Sequence, residues 1–322
     1  MHTRSIRWPA LLPALLALIA SSLPAPHASA QCGDCWLETQ GTEIVNARTG
    51  QPVRLRAVGL GYWLLQEGYM LNPAGCNGCP GTQWQMKGQY LDEGTTIEEV
   101  EAFYQAWRDN FITEADIAYI ASLGFNSVRL PMHYDLYLTD AQRAVRHEVI
   151  GDLSFGHDRY KAALRGWLDA GTLATSDDLE GFRMIDRLVE WCEAHGMYVI
   201  LDMHAAPGSQ GSDLNISDGF WANNLWEFAV FQDTLDAIWK GISDRYKAEP
   251  RIAMYEFMNE PNNVPGGGPA IQALTQRLIS TVRNNGDNHI LVVHGNGWGN
   301  DYSFMEPFTF APNWGLVYSA HR

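Results

Sequence analysis

From Val53 onward the chain alternates short apolar runs with longer amphipathic ones. The short runs are "VRLRAVGLG" (53–61), "NSVRLPM" (126–132), "MYVILDMH" (197–204), "IAMYEFMNE" (252–260), "HILVVHGN" (289–296) and "GLVYSAH" (315–321). Their length and β-branched content predict buried strands. Between them, Ile97 to Arg108, Thr113 to Leu123, Asp177 to His195, Glu227 to Lys247 and Ile271 to Asn284 carry the apolar spacing of helices with one buried face. Thr113 and Ser176 stand where N-caps belong, and Gly124 and Gly196 follow their helices as C′ residues.

Strands alternating with helices predict a parallel sheet, either doubly wound or closed into a barrel. A doubly wound sheet that binds a dinucleotide opens a helix directly after a glycine-rich first turn, whereas Gly59-x-Gly61 runs into Tyr62 and Trp63. "PGGGP" (265–269) lacks the Lys-Ser/Thr of a phosphate loop. The predicted fold class is therefore α/β, a (β/α)8 TIM barrel that is incomplete in this chain, with about six of the eight β/α units present.

In such a barrel the chemistry gathers at the carboxyl ends of the strands. Those ends carry Arg129 with His133, Asp202 with His204, Asn259 with Glu260, His294 with Asn296 and Trp298, and finally His321. A carboxylic acid flanked by Asn, His and Arg suits general acid/base work on a neutral polar substrate. Glu256 is a poor partner for Glu260: on one extended strand, four residues at ~3.3 Å each place them roughly 13 Å apart. Glu256 is expected instead to be a deep barrel carboxylate met by a basic neighbour such as Arg129.

The first thirty residues differ from the rest. Arg4 and Arg7, an apolar run from Leu11 to Ala20 and the closing Ala28-Ser29-Ala30 predict a secretory signal peptide over 1–30. The barrel domain is then 31–322, in an extracellular or periplasmic protein. Without the leader, 20 basic residues face 37 acidic ones, a net charge of −17 that argues against a nucleic-acid partner. Export also favours disulfides over zinc for Cys32, Cys35, Cys76 and Cys79, with the pairing open, and leaves Cys192 as a core thiol.

"VGLGYWLLQEGYM" (58–70), "VRLPMHYD" (128–135), "VILDMHAAPGSQ" (199–210), "YEFMNEPN" (255–262) and "VYSAH" (317–321) together resemble glycoside hydrolase family 5, the cellulase-type retaining hydrolases. The resemblance covers nearly all of 53–321. It implies that Glu260 is the acid/base, Asn259 the donor to the sugar 2-hydroxyl, Arg129 the electrostatic support of the nucleophile, His204 a glycone-subsite residue and His321 the histidine of the sixth strand. Trp84, Trp221, Trp226 and Trp298 are candidate sugar platforms; Trp298, Asn296, His133 and Trp63 are the expected substrate-binding residues. No cofactor or metal is implied, and the chain lacks a His-Glu-x-x-His metal motif.

The family's nucleophile follows its seventh strand, and the sequence stops after the sixth. The expectation is a C-terminally truncated chain that leaves two unpaired parallel edges and is inactive by itself. The expected parent is a monomeric, secreted endo-β-1,4-glucanase acting on a β-glucan, free of the membrane after leader cleavage. An exo-β-1,3-glucanase or β-mannanase is the alternative within the class, and a non-catalytic carbohydrate-binding protein the alternative outside it.

Overall fold

The computed structural model describes residues 35–70, 81–152, 157–217, 219–312 and 314–321. The predicted leader and Cys32, Cys76 and Cys79 lie outside them. Cys35 is disulfide-bonded, and Cys192 is a free buried thiol that burial pushes up to about 12.

All six predicted strands form, as β3 (Ala57–Gly59), β4 (Ser127–His133), β5 (Tyr198–Ala205), β6 (Ile252–Glu256), β7 (Ile290–His294) and β8 (Leu316–Ser319). They make one parallel sheet in which every strand pairs with the next in sequence, an incomplete (β/α)8 barrel whose edges are β3 and β8. Ahead of it, β1 (Leu37–Gln40) and β2 (Glu43–Asn46) form an antiparallel hairpin absent from the sequence expectation. Leu37 from this hairpin packs on Ala253, Met254, Ile290 and Val292, with Ile200 and Val317 alongside. The hairpin thus supplies apolar cover for the lower part of the sheet interior.

Helices fill the intervals between consecutive sheet strands up to β7; between β7 and β8 the only helical segment among the described residues is the short kinked turn Asn296–Gly299. The expected five appear as α2 (Ile97–Asn110), α3 (Glu114–Ser122), α6 (Glu180–Ala194), α8 (Ala229–Tyr246) and α9 (Gly268–Asn284). Their buried positions follow the helical period: Phe182, Ile185, Leu188 and Cys192 on α6, and Ile271, Leu274, Leu278 and Val282 on α9. At the start of α3 the Thr113 N–H and hydroxyl both donate to the Asp116 carboxylate, whereas α6 starts later than Ser176, with Leu179 at its N-cap. Three further helices, α1 (Gln83–Asp92), α4 (Asp140–Gly151) and α5 (His157–Asp169), were not legible as helices; a short α7 (Asn224–Glu227) precedes α8.

Trp63 is a core residue and not a cleft residue. It is 1% exposed, its indole N–H donates to the Arg108 carbonyl at 2.8 Å, and its ring stacks on Trp191. No helix among the described residues is long and apolar enough to cross a membrane.

Candidate active site

The floor of the site is an ion cluster on β4, β5 and β6. Arg129 donates through Nε and Nη2 to the two oxygens of Glu256, at 2.7 and 2.6 Å, and its Nη2 also lies 2.9 Å from Asp202 Oδ2. The fork geometry of guanidinium and carboxylate makes this the strong form of an ion pair. Burial opposes ionisation of Glu256, but Arg129 outweighs it and holds the carboxyl well below the usual carboxylate range. The expected Arg129–Glu256 contact is therefore present.

β6 ends at Glu256, earlier than its apolar run suggested, and the next four residues turn upward. Glu260 adopts a left-handed φ of 47°. Its carboxylate accepts a hydrogen bond from His321 Nδ1, and its backbone N–H donates to His294 Nδ1 at 3.1 Å. Because Nδ1 of His294 accepts, the ring proton sits on Nε2, which lies 2.6 Å from Glu256 Oε1. Glu256 and Glu260 thus meet the same histidine pair, whose rings are 4.8 Å apart, and the extended-strand spacing does not apply. Burial pushes the Glu260 carboxyl up, but His321 outweighs it and holds it below its ordinary value.

Arg129 Nη2 donates to Asn259 Oδ1 at 2.8 Å, which fixes the amide orientation and leaves Nδ2 3.3 Å from His204 Nε2. His204 is the extra residue of a bulge, falling between the Met132–Met203 and His133–Ala205 pairs. Such bulges re-aim side chains. Its Nδ1 lies 2.6 Å from Asp202 Oδ2 and its Nε2 3.5 Å from Glu67 Oε1. Burial disfavours the imidazolium, but Asp202 overrides it and raises His204 to about 9.

A raised histidine stabilises the fold fully below its unfolded value of about 6.5, and that contribution is lost as pH rises through about 9. Melting temperatures measured from pH 6 to 10 should fall across this window in the parent and less in His204→Gln. An equally steep fall in both proteins would refute the assignment.

Glu256, His294 and His321 bring one ligand atom each to within 4.8 Å of one another. Each of these side chains already meets a protein partner, Arg129, the Glu260 N–H and the Glu260 carboxylate respectively. Glu256 and His321 are held by charged partners, and His294 Nε2, 2.6 Å from Glu256 Oε1, makes no hydrogen bond among the described residues; these contacts carry no argument for a metal.

Five expected catalytic positions, Arg129, His204, Asn259, Glu260 and His321, therefore converge. Trp298 is 41% exposed on the rim, and its backbone N–H donates to the Pro261 carbonyl at 3.1 Å. Asn296 lies in the same turn, its N–H on the Asp301 carbonyl. His133 does not join them: it is 1% exposed, and Asp135 engages its Nδ1 at 2.9 Å while Arg146 from α4 reaches Asp135. Trp84 packs on Phe220, and the Trp226 indole N–H donates to the Gln210 carbonyl, so both serve the loop–barrel interface.

The sequence reading missed Glu67. It is 4% exposed beside His204, and its Oε2 has no hydrogen-bond partner among the described residues. The available signal was an acid standing in the apolar stretch that follows the first strand.

A parallel β/α sheet with acids, histidines and an arginine converging at its strand ends belongs to the barrel enzymes in architecture. Residues 90–322 match the model of the cellulase family, glycosyl hydrolase family 5, and the chain belongs to that family. A β-xylosidase of Phanerodontia chrysosporium is 31% identical over 268 residues, 83% of this chain and 48% of that protein. Endoglucanase C of Acetivibrio thermocellus is 29% identical over 170 residues, covering 53% and 39%. A probable glucan 1,3-β-glucosidase A of Emericella nidulans is 27% identical over 252 residues, covering 75% and 51%. The chain thus spans about half the length of the curated relatives it matches. Among solved structures, rutinosidase from Aspergillus niger superposes with a TM-score of 0.59 at 16% identity, over 84% of this chain and 69% of that one, a likeness of fold.

Proposed function

We propose that the full-length protein is a secreted retaining hydrolase of β-glucosidic bonds with Glu260 as acid/base. The observation that carries this reading is the Glu260 carboxylate at the strand mouth, hydrogen-bonded to His321 and adjoining the Arg129–Asn259–His204 cluster. In the first step Glu260 gives a proton to the departing glycosidic oxygen while a second carboxylate attacks the anomeric carbon; in the second, water attacks that carbon and displaces the carboxylate while Glu260 takes the water's proton. Glu256 is bound bidentate to Arg129 and is not free to attack. We assign the nucleophile to a glutamate outside the six described strands. Its negative charge raises the Glu260 carboxyl and so supplies the protonated acid that the first step needs.

Two features support action at a chain end. Glu67, from the segment after β3, lies 3.5 Å from His204 Nε2 through its Oε1, and its Oε2 makes no hydrogen bond among the described residues. This buried oxygen is an acceptor available to a sugar hydroxyl. The β-xylosidase and glucan 1,3-β-glucosidase relatives, matched over most of the chain, point the same way. Endo-β-1,4-glucanase action is the second reading, supported by the endoglucanase relatives. Digestion of laminarin and carboxymethylcellulose separates them. Chain-end action releases monosaccharide while viscosity falls slowly; a rapid viscosity drop with little free sugar would overturn it. For secretion, amino-terminal sequencing of protein from culture medium should begin at Gln31, and recovery of an intact Met1 would contradict leader cleavage.

A further inference from the structure

Glu260 has a side chain, yet its φ of 47° lies in the left-handed region that residues with a Cβ disfavour. All three backbone polar groups around it are held by buried side chains. The Asn259 carbonyl accepts from Gln210 Nε2 at 2.9 Å, the Glu260 N–H donates to His294 Nδ1 at 3.1 Å, and the Glu260 carbonyl accepts from Asn262 Nδ2 at 3.0 Å.

Gln210 and Asn262 are both fully buried, and both tie this turn to the loop after β5. Gln210 Nε2 also lies 2.8 Å from the carbonyls of His204 and Ile216, and its Oε1 accepts the Ala206 N–H at 3.2 Å. Asn262 Oδ1 accepts the Ser212 N–H at 2.9 Å and the Ser212 hydroxyl at 3.1 Å. A Cβ at Gly211 would stand 2.3 Å from Asn262 Nδ2, so the loop approaches as closely as it does only because residue 211 is glycine.

We propose that Gln210 is a positioning residue for the acid/base. By holding the Asn259 carbonyl against the pull of His294 on the Glu260 N–H, it fixes the peptide plane that aims the Glu260 carboxyl at the glycosidic oxygen. The same amide also contacts the His204 carbonyl, so the loop that carries it is fixed between the two strand ends. The kinetic part of this inference rests on the proposed hydrolase function; the backbone part does not.

Two variants test it in the full-length protein. Gln210→Met keeps the length of the side chain and removes the donors. Its crystal structure should show Glu260 moved out of the left-handed region and its carboxylate off His321; an unchanged turn would overturn the clamp whether or not the protein hydrolyses glucan. In kinetics, an activated aryl glucoside needs no acid in its first step, whereas a natural glucan does. kcat/KM on glucan should fall about 10²-fold, the cost of a misplaced group about 1 Å off target, with the aryl substrate within about threefold of the parent. Equal losses on both substrates would mark Gln210 as merely structural.

Gln210→Glu covers the case in which the methionine variant does not fold. Its carboxyl, buried among carbonyls, titrates high. The neutral acid donates to the Asn259 carbonyl and the anion repels it, so activity on glucan should survive at acid pH and decline as pH rises, earlier than in the parent. A pH profile matching the parent's would contradict the proposal. If the parent hydrolyses neither substrate, the hydrolase reading fails and the variant structures alone decide the clamp.

Discussion

Replacing Glu260 with glutamine should cut turnover of natural glucan by about 10²–10⁴-fold, the range general acid/base groups contribute. The amide keeps the shape of the carboxyl and a contact to His321 but neither donates nor accepts the proton that the reaction moves. Binding of a glucan oligosaccharide should persist, because the substitution leaves Arg129, Asn259 and His204 in their mutual contacts. Azide, which attacks a glycosyl-enzyme without base assistance, should restore turnover of an activated aryl glucoside. Steady-state kinetics on both substrates, with and without azide, check this. Undiminished hydrolysis of glucan by the variant would remove Glu260 from the chemistry.

Arg129→Met should carry the largest stability cost, about 3–5 kcal/mol at pH 7, the usual penalty for leaving a buried charge without its partner. Two acids lose their shared cation at once, Glu256 bound bidentate and Asp202 fully buried. The pH dependence has a definite sign. In the parent, Arg129 keeps Glu256 below its unfolded value, so its contribution is present above that value and lost as pH falls. In the variant, burial without the cation raises Glu256 above its unfolded value and pushes Asp202, which burial already raises in the parent, further up; the folded state binds more protons, and stability increases as pH falls. Urea denaturation at pH 5 and pH 7 should therefore show the gap between parent and variant narrowing at pH 5. A gap that is constant or wider there would contradict the account of the cluster.

The strands and their order were legible because a sheet covered by helices needs near-continuous apolar runs, and each run breaks at a polar residue where the site begins. Helix α4 was hidden for the opposite reason. Its inner face carries Arg143, Arg146 and His147, buried in contacts with Asp135 and Glu101, so its pattern looks polar all round. The same network misled the reading of His133, whose place at a strand end suggested the cleft while Asp135 draws it inward. The hairpin strands "LETQ" and "EIVN" are too short and mixed for any period to show. The position of Glu260 at a strand mouth was legible from its Asn-Glu-Pro setting, but its separation from Glu256 was not. Spacing along an ideal strand says nothing once the backbone turns left-handed.

The central claim, double displacement on a β-linked glucan with Glu260 as acid/base, is tested most directly by the anomeric configuration of the first product. Proton NMR of the full-length protein acting on a β-glucan oligosaccharide, followed from the earliest time points, should show the β-anomer accumulating before mutarotation brings in the α form. First appearance of the α-anomer would mean a single inverting displacement and would contradict the account.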